Sequence, residues 1–311
     1  MKIGALIIEW KSSKDMKELG PLLIIGNTSI IKSTIITLQQ AKVEPIVVVT
    51  GKRADGLEKH IAKRGGIFLR IDNYENMEMF EAVSMGINYM KNLCDKILVM
   101  PGKIPLFSTS AISKLLQSNA SVAYPVYEGK KGHPVIFEAR FITEILKYKG
   151  EHGLSGAIST LIDNVELFNV EDESVIMAVD SKENYEKIKG KAFSEKSSLR
   201  YLLQLRIARD EIFFGPGIAQ FLSLVKNNGS MQTSCKQMNM SYSKGLKTLS
   251  VAEKALGVSL LVRQSGGANG RSSCLSDTGE DILRRYFEME SKLKEKAEEL
   301  FTEYFDGLEE L

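Results

Sequence analysis

Apolar residues recur along the first half of the chain in short β-branched runs, separated by stretches with helical spacing. Ile3 to Ile8, Pro45 to Thr50, Ile67 to Ile71, Lys96 to Met100 and Ser121 to Pro125 read as strands. Thr28 to Gln40, Gly56 to Lys63, Met79 to Lys91 and Thr109 to Gln117 read as the helices between them. Near-continuous apolar strands alternating with helices predict an α/β fold with a mostly parallel sheet covered on both faces. His133 to Phe137 and Val165 to Val170 are expected to add mixed strands. The polar stretch Ser181 to Ser198 holds five lysines, three glutamates and four serines, and marks a domain boundary.

The second half opens on an alternating run, Leu199, Tyr201, Leu203, Leu205 and Ile207, which reads as a strand. After FFGPG (Phe213 to Gly217) come three short helical segments, Ile218 to Asn227, Gln232 to Met238 and Tyr242 to Ala255. The run from Leu260 to Ser276 sets clustered glycines between two possible strands, and a charged amphipathic helix follows from Asp277 to Phe305. That order of elements is the order of a winged helix-turn-helix. The expected organisation is a first domain over residues 1–190 and a second over 199–311.

Charge sharpens the division. Between Leu199 and Cys274 ten basic residues stand against three acidic ones, inside a chain of 311 residues whose net charge is only +2. A local excess of that size suits a polyanion partner. The three cysteines, Cys94, Cys235 and Cys274, lack paired metal spacing, which argues against a disulfide framework and structural zinc. No signal pattern opens the chain and no apolar run reaches the length of a membrane span, so the expected location is the cytoplasm, away from the membrane.

In GSMQTSCKQMNMSYSKGLKTL (Gly229 to Leu249), Ser230 can cap the first helix of the pair, Asn239 can take the turn and Ser241 can cap the next helix. Tyr242, Ser243 and Lys244 are the first residues of that helix, with Lys247 one turn on, where a recognition helix reaches base edges. The glycine-rich tip carries Arg271 and lies near Arg263, which suits a wing laid along phosphates. FFGPGIAQFLSLV, MSYSKGLKTL, ALGVSLLVRQSGGANG and LSDTGEDIL together resemble the DNA-binding domain of ModE-type regulators, relatives of the LysR-type helix-turn-helix that control molybdenum genes. The resemblance implies DNA-binding roles for Ser241, Tyr242, Ser243, Lys244, Arg263 and Arg271. In the long helix, Ile282, Leu283, Tyr286, Leu293, Ala297, Leu300 and Tyr304 recur near heptad spacing, which suits a homodimer on paired half-sites of double-stranded DNA.

The first half, about Met1 to Lys189, is similar to MobA-like nucleotidyltransferases, which attach CMP or GMP to molybdenum cofactor. The resemblance rests on YPVYEGKKGHPVIF (Tyr124 to Phe137), MPGKIPLF (Met100 to Phe107) and PLLIIGNTSII (Pro21 to Ile31), with VDSKENYE (Val179 to Glu186) a weaker match. It implies a Rossmann-like α/β/α three-layer domain. The family's phosphate loop fits poorly. In the register Glu9 to Gly20, only Ser13 and Met16 match. Trp10 fills space the phosphates need, Asp15 reverses an arginine's charge and Gly20 stands for a lysine. The family's magnesium-binding aspartate is replaced by Lys103, and its second acidic motif reads Ala178, Val179, Asp180, Ser181 here. A lysine cannot ligate the ion, so ordinary metal-assisted transfer is not expected.

The leading expectation is a transcriptional regulator of molybdenum-related metabolism whose first domain senses a small anionic ligand, a nucleotide or a pterin such as molybdopterin. Ser12, Ser13, Lys103, His133 and Asp180 are its candidate ligand-binding residues, with no catalytic residue and no resident metal. The alternative is a nucleotidyltransferase that moves the CMP or GMP group of CTP or GTP to a molybdopterin-type cofactor, releasing pyrophosphate, and carries an appended DNA-binding module. It needs Mg2+ and a second acid beside Asp180. A third reading is a scaffold that docks a true maturation enzyme.

Overall fold

Apolar side chains point to both faces of the first strand, β1 (Ile3–Glu9), where Ala5, Leu6, Ile7 and Ile8 are all buried. That pattern is possible only for a strand inside a sheet covered on both sides. A computed structural model describes residues 1–9, 20–51, 54–61, 64–71, 77–105, 109–189, 199, 201–264 and 272–305. The chain divides into two units, Met1–Ser197 and Ser198–Leu311.

In the first unit β1 is followed by a ribbon, β2 (Ile24–Ile25) and β3 (Thr28–Ser29), then α1 (Ile30–Gln40), β4 (Ile46–Thr50), α2 (Ala54–Ile61), β5 (Ile67–Arg70), α3 (Met79–Met90) and β6 (Lys96–Pro101). After α4 (Thr109–Gln117) come β7 (Val122–Tyr127), β8 (Lys130–Lys131), β9 (Val135–Glu138), α5 (Ile142–Lys147), α6 (Gly153–Leu161), β10 (Val165–Asn169) and α7 (Lys182–Lys189). The sheet order is β10-β7-β9-β6-β1-β4-β5, with β8 paired to β7. Neighbours in the β6-β1-β4-β5 block are parallel, and β9 runs antiparallel between β6 and β7.

On one face Ala5 and Ile7 pack with Ile31, Ile35 and Leu38 of α1, Leu57 and Ile61 of α2, and Ile112 of α4. On the other, Leu6 meets α3 at Gly86, where any larger residue would collide with the leucine side chain. The result is a helix, sheet, helix sandwich whose core is the doubly buried parallel strands.

The second unit holds β11 (Ile207–Ala208), β12 (Ile212–Phe214), α8 (Pro216–Asn228), α9 (Met231–Gln237), α10 (Tyr242–Leu256), β13 (Leu261–Gln264), β14 (Ser272–Leu275) and α11 (Asp277–Phe305). Pro216 starts α8 at a position where no amide is needed, and Gly229 ends it with φ of 67°. Ser230 and Ser241 cap α9 and α10 by accepting from the Thr233 and Lys244 amides. Between these helices Asn239 takes a φ of 51°, the left-handed turn expected of it. Phe214, Phe221, Leu222, Val225, Met231, Leu249, Leu260, Leu275, Leu283 and Tyr286 form the core.

One expectation is corrected. The run Leu199 to Ile207 is not a strand over its length; only Ile207–Ala208 pairs, with β12. Its alternation has another cause: Tyr201, Leu203, Leu205 and Ile207 are partly buried while Leu202, Gln204 and Arg206 are exposed, because the extended segment is tied to α11. The Tyr201 hydroxyl donates to Lys294 O at 3.0 Å, and the Tyr286 hydroxyl donates to Leu205 O at 2.9 Å. The division between the units falls within the polar stretch Ser181 to Ser198, whose first part is a helix, α7, with Ile188 buried; residues 190–198 lie outside the described residues.

Candidate functional site

Strand order reverses at β1. The chain lays β4 and β5 on one side of it and then returns to place β6 on the other, so the carboxyl ends of β1 and β6 open a crevice of the kind in which such sheets hold ligands. Glu9 ends β1 there, and Lys103 follows β6 in a turn closed by Gly102 N to Ile8 O at 2.9 Å and Ile104 N to Pro101 O at 3.2 Å. Gly102 leaves no spare room, since a Cβ on it would stand 3.3 Å from atoms of Glu9 and Ile7.

Lys103 reaches the segment that enters α7. Its Nζ donates to Asp180 Oδ2 at 2.9 Å, and both side chains are 39% exposed. Beside this pair, Val179 N donates to Lys103 O at 2.9 Å. Asn184 Nδ2 donates to Ala178 O at 2.9 Å and to Asp180 Oδ1 at 3.4 Å. The bond from Lys103 holds the Asp180 carboxyl below the usual carboxylate range. Glu9 is the opposite case. It is only 7% exposed, and burial pushes its carboxyl up to about 8, an effect that the Lys103 charge partly offsets. Near neutrality one carboxyl of the crevice is therefore mostly protonated and the other is neutralised by an ammonium.

His133 precedes β9, whose first residue pairs with Val99 of β6, so it lies toward the same edge. Burial lowers its ring to about 4, with a bond to the Val99 backbone opposing part of that shift, and Nδ1 is enclosed without a hydrogen-bond partner among the described residues. Lys103 and Asp180 are thus brought together and His133 sits toward their edge, while Ser12 and Ser13 lie outside the described residues. Two features escaped sequence reasoning. One is Glu9, a single acid ending an apolar strand, whose only signal was its place at the sheet edge. The other is a network at the ends of β4 and β5. There Arg70 donates to Glu58 through Nε and Nη2, both at 2.9 Å, and pairs with Asp55, while Thr50 Oγ1 donates to Glu58 at 3.1 Å. A polar cavity of 640 Å³ lined by Asp95, Lys96, Glu138 and Arg140 opens at the opposite, amino end of β6, away from this chemistry.

In the second unit Ser241, Tyr242, Ser243, Lys244 and Lys247 are all exposed at the amino-terminal end of α10. Neither lysine has an ion-pair partner among the described residues. The helix is set close against α9 at Gly245, where a Cβ would overlap Cys235 Sγ. The Arg263 side chain and all of Arg271 lie outside the described residues. The heptad stripe of α11 divides: Leu283 and Tyr286 are consumed by the unit's own core, whereas Leu293, Leu300 and Tyr304 are exposed.

Residues 12–165 match the family model of the MobA-like NTP transferase domain. The first unit carries a MobA-like NTP transferase domain. Solved structures agree at the level of fold. A nucleotidyl transferase from Methanothermobacter is 16% identical with a TM-score of 0.53, over 60% of this chain and 96% of its own. Rv0371c of Mycobacterium tuberculosis, described in complex with manganese, is 16% identical with a TM-score of 0.51, over 62% of this chain and 100% of its own. CTP:phosphocholine cytidylyltransferase from Streptococcus pneumoniae is 13% identical with a TM-score of 0.51, over 61% of this chain and 98% of its own. A comparison with curated proteins gives no match.

The MobA-like fold invites a divalent ion at this crevice, and the residues described there do not fit one. Lys103 occupies the turn after β6 and engages Asp180, and Glu9 is held mostly protonated. No group of three or more His, Cys, Asp or Glu among the described residues could hold a metal ion. A hard cation needs several ionised oxygens, and here an ammonium already takes the one supplied by Asp180. No helix among the described residues is long and apolar enough to cross a membrane.

Proposed function

We propose that the chain is a DNA-binding regulator, with a winged helix-turn-helix in its second unit and a MobA-like domain that recognises a small anionic ligand without transforming it. The observation that carries the reading is the exposed edge of α10, Tyr242, Ser243, Lys244 and Lys247, whose lysines have no ion-pair partner among the described residues, presented by a tight turn behind α9. The replacement of a metal site by Lys103 and Asp180 supports recognition over catalysis in the first unit. The ModE-like resemblance points to molybdenum-related metabolism and to nucleotides, molybdate or pterins as ligands. The active form is a homodimer, paired through Leu293, Leu300 and Tyr304 of α11, and it acts in the cytoplasm. Mobility shifts across genomic promoter fragments test the reading: sequence-specific retardation supports it, and uniformly flat binding overturns it. A thermal-shift screen with nucleotides, molybdate and pterins tests the ligand half, since a ligand that binds only the native state raises its melting temperature.

The second reading is a nucleotidyltransferase that moves a cytidylyl or guanylyl group to a molybdopterin-type acceptor. The comparisons favour it more directly, because the matched domain and the similar structures are of that class. In this reading Glu9, an acid close enough to Lys103 to feel its charge, is the second acid beside Asp180 and must first give up its proton. Magnesium-dependent pyrophosphate release from CTP or GTP in the presence of molybdopterin would establish this reading and displace the first.

A further inference from the structure

The ion pair at the crevice does more than neutralise charge. Asp180 stands immediately before Ser181, whose Oγ accepts from the Asn184 amide at 3.1 Å and so starts α7. Val179 is bonded to the Lys103 backbone on one side and packs on the other with Leu23, Ile25, Ile30 and Ile188. Tyr185 adds a bond from its hydroxyl to Ile24 O at 2.8 Å. The turn after β6 and the entry to α7 are therefore clamped together at one backbone bond and one ion pair. α7 is the last described element before the second unit begins at Ser198.

We infer that the Lys103–Asp180 ion pair is a latch operated by the ligand: an anion that takes the Lys103 ammonium releases Asp180 and loosens the first turn of α7. The inference rests on the anionic-ligand reading above. An anionic oxygen in hydrogen-bond contact with Lys103 Nζ comes next to the Asp180 carboxylate, and two like charges in a half-buried crevice repel. Asp180 then turns away, and its backbone carries the Ser181 cap with it. The far end of α7 stays held by Ile188, so the change is confined to the helix entry. A local device of this kind reshapes the carboxyl edge of the first unit without disturbing the sheet.

Hydrogen exchange on the full chain, with inorganic pyrophosphate as the probe and calorimetry to score its binding, tests the latch. In the wild type, saturating pyrophosphate is expected to speed exchange of the Asn184 and Tyr185 amides, both bonded to Ser181, about fivefold, the scale of one partly exposed ion pair. Lys103→Met is expected to show that faster exchange without ligand and no further response, while Lys103→Arg keeps the wild-type behaviour. Calorimetric binding of pyrophosphate with unchanged exchange over α7 would overturn the latch and leave the anion site standing. No binding of either pyrophosphate or CTP would overturn both.

Discussion

Lys103 and Asp180, 77 residues apart in sequence, meet at 2.9 Å at the carboxyl edge of the sheet, and their backbones are joined through Val179. Both side chains are well over a third exposed, so solvent screens the pair and its loss should cost at most about 1 kcal/mol. Lys103→Ala is expected to lower stability by no more than that. Its clearer effect is on titration. The Asp180 carboxyl, held low by Lys103, contributes stability above its unfolded pKa that is lost as pH falls through the folded value. In Lys103→Ala the Asp180 midpoint should rise toward the ordinary carboxylate range, read by NMR titration.

Lys103→Asp is expected to create what the crevice lacks. The substitution removes the ammonium and adds a third carboxyl beside Glu9 and Asp180, a set of hard oxygen donors. Electron paramagnetic resonance should detect Mn2+ bound to the variant. The wild type should show none at this edge, and equal Mn2+ binding by both proteins would mean that Lys103 does not stand in for an ion.

Much of the architecture was legible in the apolar pattern, because a doubly covered strand and an amphipathic helix each leave a distinct periodicity. α4 and α11 occupy the residues expected of them, Thr109–Gln117 and Asp277–Phe305, and the strands of the first unit differ by a residue or two at their ends. Leu199 to Ile207 misled because a period of two reports an extended chain with one side buried, and here the burying surface is α11, not a neighbouring strand. The candidate site was half legible. Lys103 stood out as a cation at a strand end, but spacing says nothing of a partner 77 residues away, and nothing local distinguishes buried Glu9 from an ordinary turn acid.

Glu9→Gln should reveal the cost of that burial. A folded pKa of about 8 against an ordinary 4.5 means the native state holds a proton that the unfolded chain releases, so stability falls as pH rises between those values. The full difference is on the order of 4 kcal/mol, reached near pH 8. The neutral isostere removes this dependence. Melting temperatures of the two proteins should converge near pH 5, with the variant increasingly the more stable toward pH 8; parallel profiles would show that Glu9 ionises normally.

Gly245→Ala tests how closely α9 and α10 must approach. A methyl group there would overlap Cys235 Sγ, and both residues are buried in the second unit's core, so the helices must shift. Overpacking of this kind costs about 1–3 kcal/mol. Pairing the change with Cys235→Ala should return most of the loss, measured by denaturant unfolding of the full chain, because the smaller side chain vacates the space the methyl group enters.

Lys244 and Lys247 decide whether the exposed edge of α10 meets DNA. Both lie on the solvent side of a helix whose opposite side, Gly245 and Leu249, is buried, so replacing them leaves the fold unchanged. Each lysine that contacts a phosphate releases a counterion on binding, and its removal should reduce the slope of log affinity against log salt by about 0.9. Lys244→Ala and Lys247→Ala should each flatten that slope and weaken binding, most strongly at low salt. Fluorescence anisotropy over a salt series checks this. A slope unchanged in both variants would remove α10 from the proposed DNA interface.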